Sequence, residues 1–455
     1  MSPAPSILWF RRDLRFEDHP ALAKAAGKGP VLALFVVDPA LMGPAGLPRK
    51  AFLLRTLRDM DRRLRAHGAN LVVRCGPPEQ VVPELASQVG AGGVHISADF
   101  APYGAARDGR VAEALGAVPL VPTGSPYAVS PPRLTATGGG PYKVFTPYAR
   151  AWRRHGWPDP APSDVGSVDW LPAPSEEIPE EPALPAGLDL PVSGEEAAQE
   201  AWQHFHEGRR SVYGAERDRP DLDVTSRLSP YLHIGALHPR TLLSALGPDD
   251  DRFVTELAWR EFYASVLWFW PESARDNFNA RMSGLAVDEG PDADALFEEW
   301  CEGRTGYPII VAGMRQLKAE AFMHNRVRML VASFLVKDLH LHWRRGARYF
   351  MRHLVDGDLA SNQHGWQWTA GTGTDASPYF RIFNPVTQSK RFDPEGDYIR
   401  RWVPELRDVP APYVHEPWRS PTPLDYVEPI VDHDVERKRS LAAYAALPRP
   451  ATTAT

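Results

Sequence analysis

Four short stretches of this 455-residue chain hold side chains whose types and spacing could do chemistry. The first is Asp223-Val-Thr-Ser-Arg-Leu-Ser-Pro-Tyr-Leu-His-Ile-Gly235. Thr225, Ser226 and Ser229 would open a helix there, and hydroxyls beside free N–H groups suit an anion. Ordinary helix capping is the plainer reading. The second stretch is Glu256-Leu-Ala-Trp-Arg-Glu-Phe-Tyr263. Glu256, Trp259, Arg260 and Tyr263 fall at i, i+3, i+4 and i+7, one face of a helix. A structural ion pair beside a packed indole would look the same. The third is Met323-His-Asn-Arg-Val-Arg-Met329, where Asn325, Arg328 and Met329 share a face with Arg326 offset. A basic solvated helix side fits it too. The fourth runs from Asp356 through Trp366, Trp368 and Asp375, then Tyr379 to Asn384. Asp356 and Asp358 with His353 and His364 lack the tight histidine pair of zinc sites, so no metal is expected. Taken together, two tryptophan planes, a carboxyl group and amides suit a flat, base-like guest. Indoles stack on bases, and polar groups read their edges.

Two kinds of element must position these groups. Over the first ~125 residues, apolar runs at Ile7–Phe10, Val31–Val37, 70–73, 94–96 and 118–121 alternate with amphipathic segments. Runs of that length suit strands buried on both faces. Between the second and third, Leu53, Leu54, Leu57, Met60 and Leu64 recur at helical spacing. The expected fold is therefore an α/β N-terminal domain with a parallel, Rossmann-like sheet. From 156 to 192, nine prolines exclude regular structure, and we expect an ordered connection draped over the surface. After about 195 the patterns are helical, with helices over 256–270, 312–335 and 344–354, giving an all-α C-terminal domain. The expected division is a sheet domain over 1–130, a connection over 131–195, a helical catalytic domain over 196–448 and a frayed tail over 449–455.

Composition bounds the reading. The chain is 43% hydrophobic and 24% charged, which excludes a disordered protein. Its formal net charge of −6 leans against nucleic acid as a partner, but arginines gather in 326–352 and 381–401 and leave room for a local basic face. Cys75 and Cys301 have no motif spacing, so neither a disulfide framework nor a zinc site is expected. No apolar stretch reaches signal-peptide or membrane-span length, and the expected location is cytoplasmic.

With these segments in order, the chain resembles the photolyase/cryptochrome flavoprotein family, and most closely its class I cyclobutane pyrimidine dimer photolyases. Trp-Phe-Arg-Arg-Asp-Leu-Arg (9–15), Thr225–Gly235, Glu256–Tyr263, Thr305-Gly-Tyr-Pro308 and Asp356–Asn384 carry the resemblance, which covers nearly the whole chain. It implies an N-terminal antenna domain and a helical domain holding FAD, active as its reduced anion. FAD contacts would come from Tyr213, Thr225, Ser226, Arg227, Leu228, Ser229, Arg260 and Phe322. Arg328 and Asp356 would pair beside the flavin ring, Asp358 would meet the ring edge, and Asn362 would face the flavin N5. Glu256, Trp259, Asn325, Met329 and Trp368 match the dimer-binding positions. Arg217, Arg326 and Arg381 would take phosphates beside the lesion in UV-damaged DNA. The implied reaction is light-driven electron transfer to a flipped-out dimer, which splits it. A Glu256 kept neutral by burial would donate a hydrogen bond to the charged dimer. Asn325, where related photolyases for the (6-4) lesion carry histidine, favours the cyclobutane lesion. The protein is expected to act as a monomer.

The chain departs from the family pattern in places. The tryptophan relay that reduces the flavin matches at Trp366 and Trp343, but its outer member falls near Gly290, where no tryptophan stands. Phe322 replaces a tryptophan and Val311 an aspartate. In the antenna domain, Asp99–Asp108 favours an 8-hydroxy-deazaflavin over methenyltetrahydrofolate, because the Asn-Glu pair of folate-binding members is absent at Tyr103-Gly104. The main rival is a cryptochrome, a blue-light sensor without repair. The complete Glu256–Trp259–Asn325–Met329–Trp368 set and the short stretch after the last helical pattern weigh against it. The lack of a glycine-rich loop after the first strand weighs against a third reading, a nucleotide-dependent transferase.

Overall fold

The computed structural model describes residues 3–136, 138–374 and 381–448. The five apolar runs become strands: β1 (Ser6–Phe10), β2 (Val31–Val37), β3 (Val72–Cys75), β4 (Gly93–Ile96) and, half-buried at the sheet edge, β5 (Leu120–Pro122). They form one parallel sheet in the order β3-β2-β1-β4-β5. Alternation along β1 and β2 divides their side chains between two covers. Leu8, Phe10, Ala33 and Phe35 pack with α1 (Pro20–Ala26) and α2 (Leu47–Ala66). Ile7, Trp9, Leu32 and Leu34 pack with α3 (Pro78–Val89) and α4 (Pro102–Leu115). This is the doubly wound arrangement, and the order reverses between β1 and β4.

The proline-rich stretch is ordered along the sheet. Val31 N–H donates to Asp169 O, Leu171 N–H to Val31 O and Glu176 N–H to Val73 O. Before it lies α5 (Phe145–His155). The remaining chain is helical, and the elements used below are α6 (Ser229–Ile234), α7 (Asp251–Phe269), α8 (Pro291–Glu302), α9 (Pro308–Glu320), α10 (Asn325–Lys337), α11 (Trp343–His353) and α12 (Leu359–Ala370). The single helix expected over 312–335 is two. Ala321 takes a left-handed conformation (φ +47°) and ends α9, and His324 caps α10 through its Nδ1. Apolar periodicity runs through the break because both helix ends are buried.

The sheet and the helices share one core. Leu8 and Phe10 belong to the same buried cluster as Tyr148, Phe205, Phe253 and Phe262. The 9–15 motif supplies much of the polar seam. Arg15 donates to Asp18 O and Gly235 O, and Arg12 reaches Asp358 at 2.8 Å. Gly235 lies in the left-handed region (φ +74°) with its Cα against Arg12. A Cβ there would sit 2.0 Å from the Arg12 carbonyl oxygen, so no larger residue fits. Cys75 is exposed, Cys301 is buried, and neither is in a disulfide. Among the described residues, no helix is long and apolar enough to cross a membrane. Asp375, Tyr379, Phe380 and the expected tail over 449–455 lie outside the described residues.

Candidate active site

The helices enclose a cavity of about 740 Å³. Its wall gathers Tyr213, Arg217, Ser226, Leu228, Ser229, Glu256, Trp259, Arg260, Asn325, Arg326, Arg328, Met329, Asp356, Asp358, Asn362, Trp366, Trp368 and Arg381. Thus every expected dimer-binding position and most of the expected FAD positions face one space. Thr225, Arg227, Phe322 and Trp343 do not line it.

At the floor, Arg328 Nη2 lies 2.8 Å from Asp356 Oδ2, and Ser229 Oγ donates to the same oxygen at 2.6 Å. The expected Arg328–Asp356 pair is therefore formed. Ser229's hydroxyl is spent on it, and α6 is only six residues long. The anion site expected from a helix N-terminus over 225–229 is weaker than the sequence suggested. Phe322 sits outside the wall, with the Arg227 and Arg328 guanidiniums 4.9 Å and 5.3 Å from its ring centre. Arg227 itself pairs with Glu320 at 3.2 Å.

Asp358, expected at the flavin ring edge, is also engaged within the chain. Its Oδ1 caps α12 through Ser361 N–H, and its Oδ2 holds Arg12. Burial alone would raise this carboxyl. His233 and the Arg12 guanidinium overcome that and hold it well below the usual carboxylate range. Asn362 donates to Ala347 O at 3.1 Å and to Gln363 Oε1 at 2.9 Å, which fixes its amide at the cavity edge. Arg260 donates to Pro126 O and Leu232 O, 3.0 Å each, so it braces the wall through backbone carbonyls.

Toward the mouth, Trp259 lies flat on Phe145 of α5, with ring centres 3.6 Å apart and planes 6° from parallel. The Trp259 plane thus has a second ring behind it. Trp368 carries the Arg381 guanidinium 5.1 Å from its ring centre. One expectation fails here. Glu256 is not isolated by burial: its side chain is 27% exposed and its carboxylate pairs with Arg217 Nη1. Arg217, expected on a phosphate, is spent on that pair and is only 11% exposed. Arg326, expected on a phosphate too, pairs with Asp218 at 2.8 Å and lies over the Phe392 ring. Both arginines are thus paired with carboxylates at the mouth.

The expected relay residues Trp366 and Trp343 are both buried. Trp366, 3% exposed, has Phe350 at 5.0 Å and Trp300 at 6.2 Å as ring neighbours. It packs on Gly346, where a Cβ would lie 2.1 Å from the indole. Trp343 donates from Nε1 to Asn277 Oδ1 at 2.8 Å and has His342 beside it. Val311 is fully buried in the apolar cluster of the later helices, where an aspartate would need a partner.

Sequence reasoning missed Arg12, His233 and Phe145 as parts of the site. Arg12 and His233 sit inside quoted motifs and so carried a signal. Phe145 had none, because it reaches Trp259 from more than a hundred residues away.

His324 sets up a pH response. Its Nδ1 accepts the Arg326 N–H at 3.2 Å and so starts the helix that carries Asn325, Arg328 and Met329. Burial pushes it down to about 4, and the nearby Arg326, Arg328 and Arg217 act in the same direction against Asp218. An unfolded histidine titrates near 6.5. As pH falls from about 6.5 to about 4, the unfolded chain takes a proton that the folded chain refuses. Stability should drop by up to about 1.4 kcal/mol per pH unit in that window. Asn in place of His324 keeps a cap and removes the proton, so His324→Asn should shrink the loss of urea resistance between pH 7.5 and 5. An unchanged loss would assign the response to other groups.

The donor set fits FAD. Among cavity-lining groups, Asp356 Oδ1 and Trp366 Nε1 are buried without a hydrogen-bond partner. Buried polar atoms are rarely left so unless a polar guest completes them. A family model described as the FAD binding domain of DNA photolyase matches residues 253–446, and one described as DNA photolyase matches 6–165. The deoxyribodipyrimidine photo-lyase of Halobacterium salinarum is 40% identical, covering 96% of this chain and 98% of that protein. That of Escherichia coli is 39% identical, covering 97% and 98%. A bacterial class III photolyase from Agrobacterium tumefaciens superposes with a TM-score of 0.91 at 37% identity, over 98% of both chains. A Synechocystis cryptochrome gives 0.87 at 26% identity, over 97% of this chain and 99% of that one. By sequence over nearly its full length and by fold, this chain belongs to the photolyase/cryptochrome family.

Proposed function

We propose that the protein is a deoxyribodipyrimidine photolyase, which uses blue light to split cyclobutane pyrimidine dimers in UV-damaged DNA. The observation that carries the reading is the convergence of Glu256, Trp259, Asn325, Met329 and Trp368 on one cavity whose floor is the Arg328–Asp356 pair. The curated relatives named above support it. The placing in class I rests on that residue set, and the deazaflavin antenna rests on Asp99–Asp108, which lies beside the β1/β4 reversal of the sheet. The division at 130 and 195, a monomeric state and a cytoplasmic location belong to the same reading.

Bound reduced FAD would supply the electron that splits the dimer under blue light. The chain's own part is binding and orientation. A dimer stacks poorly, so flipping it from the duplex is cheaper than flipping a normal pair. Trp259, backed by Phe145, and Trp368 offer it apolar planes. Asn325 offers an amide donor where charge develops on the pyrimidine oxygens. Glu256 faces the same space and pairs there with Arg217.

Purified protein with reduced flavin and a thymine-dimer oligonucleotide should restore normal thymine absorbance under blue light. No recovery would end the reading. Trp259→Ala should weaken dark binding of the same oligonucleotide by roughly 1–3 kcal/mol, the worth of one stacked base. Phe145→Ala should act in the same direction and more weakly. Fluorescence anisotropy reads both, and unchanged affinity in Trp259→Ala would remove that ring from the lesion pocket.

A further inference from the structure

A second cavity, of about 590 Å³, lies on the far side of α11 from the first. Phe350 and Leu354, at the C-terminal end of that helix, face the cofactor cavity. Arg344, Arg345, Arg348, Tyr349 and Arg352 face the second one. The opposite wall comes from Val287 to Gly290 and from Asp294 and Phe297 of α8. Its size is within the usual range for a small-molecule site.

The charges in this wall do not cancel. Arg345 pairs with Asp294 at 2.8 Å, and Asp288 pairs with Arg439 from outside. Arg344, Arg348 and Arg352 remain, four residues apart on one helix face, against Glu289 alone. Among the described residues, none of the three has an ion-pair partner. Like charges at i, i+4 destabilise a helix, so the stripe is unfavourable until an anion joins it. Arg344 to Arg352 spans eight residues, about 12 Å along the helix. A chain of phosphates matches that length, each phosphate taking a forked pair of N–H groups. Phe297 and Tyr349 add aromatic wall beside the stripe.

The rim selects against long polyanions. Helix α8 carries Asp292, Asp294, Glu298, Glu299 and Glu302 and no basic residue. A nucleic-acid backbone crossing this face would run over those carboxylates. A compact anion inside the cavity would not.

We propose that this cavity binds a small polyphosphate, such as that of a nucleoside triphosphate, at Arg344, Arg348 and Arg352. The site is separate from the cofactor and lesion cavity and does not depend on the repair reading. Calorimetric titration of the FAD-loaded protein at low ionic strength tests it, with adenosine triphosphate, inorganic tripolyphosphate and a single-stranded oligonucleotide as probes. We expect saturable binding of the triphosphate, weakened roughly ten- to hundredfold in the double variant R344Q/R348Q, which should keep its flavin and its repair activity. Tighter binding of adenosine triphosphate than of tripolyphosphate identifies a nucleotide site. Equal binding identifies a site for polyphosphate alone. No saturable binding of either, binding unchanged in R344Q/R348Q, or an oligonucleotide bound as tightly and with the same arginine dependence would overturn the proposal.

Discussion

Replacing Asp356 by alanine should strip the protein of its flavin. The Asp356 side chain is 3% exposed and answers two donors at once, Arg328 at 2.8 Å and Ser229 at 2.6 Å. Its other oxygen is buried and has no partner in the chain. Removing one member of such a pair leaves an uncompensated charge and typically costs about 3–5 kcal/mol. Here the loss falls on the cavity floor, which the proposed reading assigns to FAD. A loss of that size in binding alone would weaken retention by more than about a hundredfold. The measurement is flavin absorbance per protein after purification, followed by FAD titration of the stripped protein. Asp356→Asn separates charge from shape, because its amide oxygen still accepts from Ser229. It should retain flavin better than Asp356→Ala and less well than the parent. Full retention in Asp356→Ala, with the fold intact by circular dichroism, would move the cofactor away from the Arg328 pair.

Glu261→Ala should damage both stability and lesion binding, although Glu261 does not line the cavity. Its carboxylate is 1% exposed and accepts from Ala128 N–H, from Val129 N–H at 3.0 Å and from Trp152 Nε1 at 2.6 Å. Burial pushes this carboxyl up, and the three donors oppose that. They belong to the loop before the 131–133 turn and to α5, the helix that carries Phe145. Alanine would leave three buried donors without an acceptor, each worth about 1–3 kcal/mol. Some water entry would soften the sum, so we expect a loss of about 3–5 kcal/mol. It should appear as a lower urea midpoint. Lesion affinity should fall as well, because Phe145 would no longer back Trp259. Glu261→Gln keeps one acceptor oxygen and should recover part of both losses. If stability fell and affinity for the dimer oligonucleotide did not, the clasp would be structural only.

The local residue pattern made some features readable and hid others. Ile7–Phe10 and Val31–Val37 read as strands because burial on both faces leaves a continuous apolar run. The face shared by Glu256, Trp259, Arg260 and Tyr263 followed from helical spacing alone. The Arg328–Asp356 pair came with the family resemblance, and the structure forms it. The break at Ala321–His324 was invisible, since a buried turn keeps the apolar period of the helices it joins. The fate of Glu256 was misread for a related reason. Its neighbour Arg217 is 39 residues away, and no local rule says that two mouth residues will pair.

By itself, the amino-acid sequence determined the parallel sheet, the helical remainder, the order of the motifs and the face on which each reactive side chain would lie. Those depend on periodicity and on neighbours within a few residues. The tertiary structure alone decided which charges neutralise each other, that Phe145 backs Trp259, that Arg12 crosses from the sheet to Asp358, and that the arginines of α11 line a second cavity. Each of these is a distance between residues far apart in the chain, and packing sets such distances.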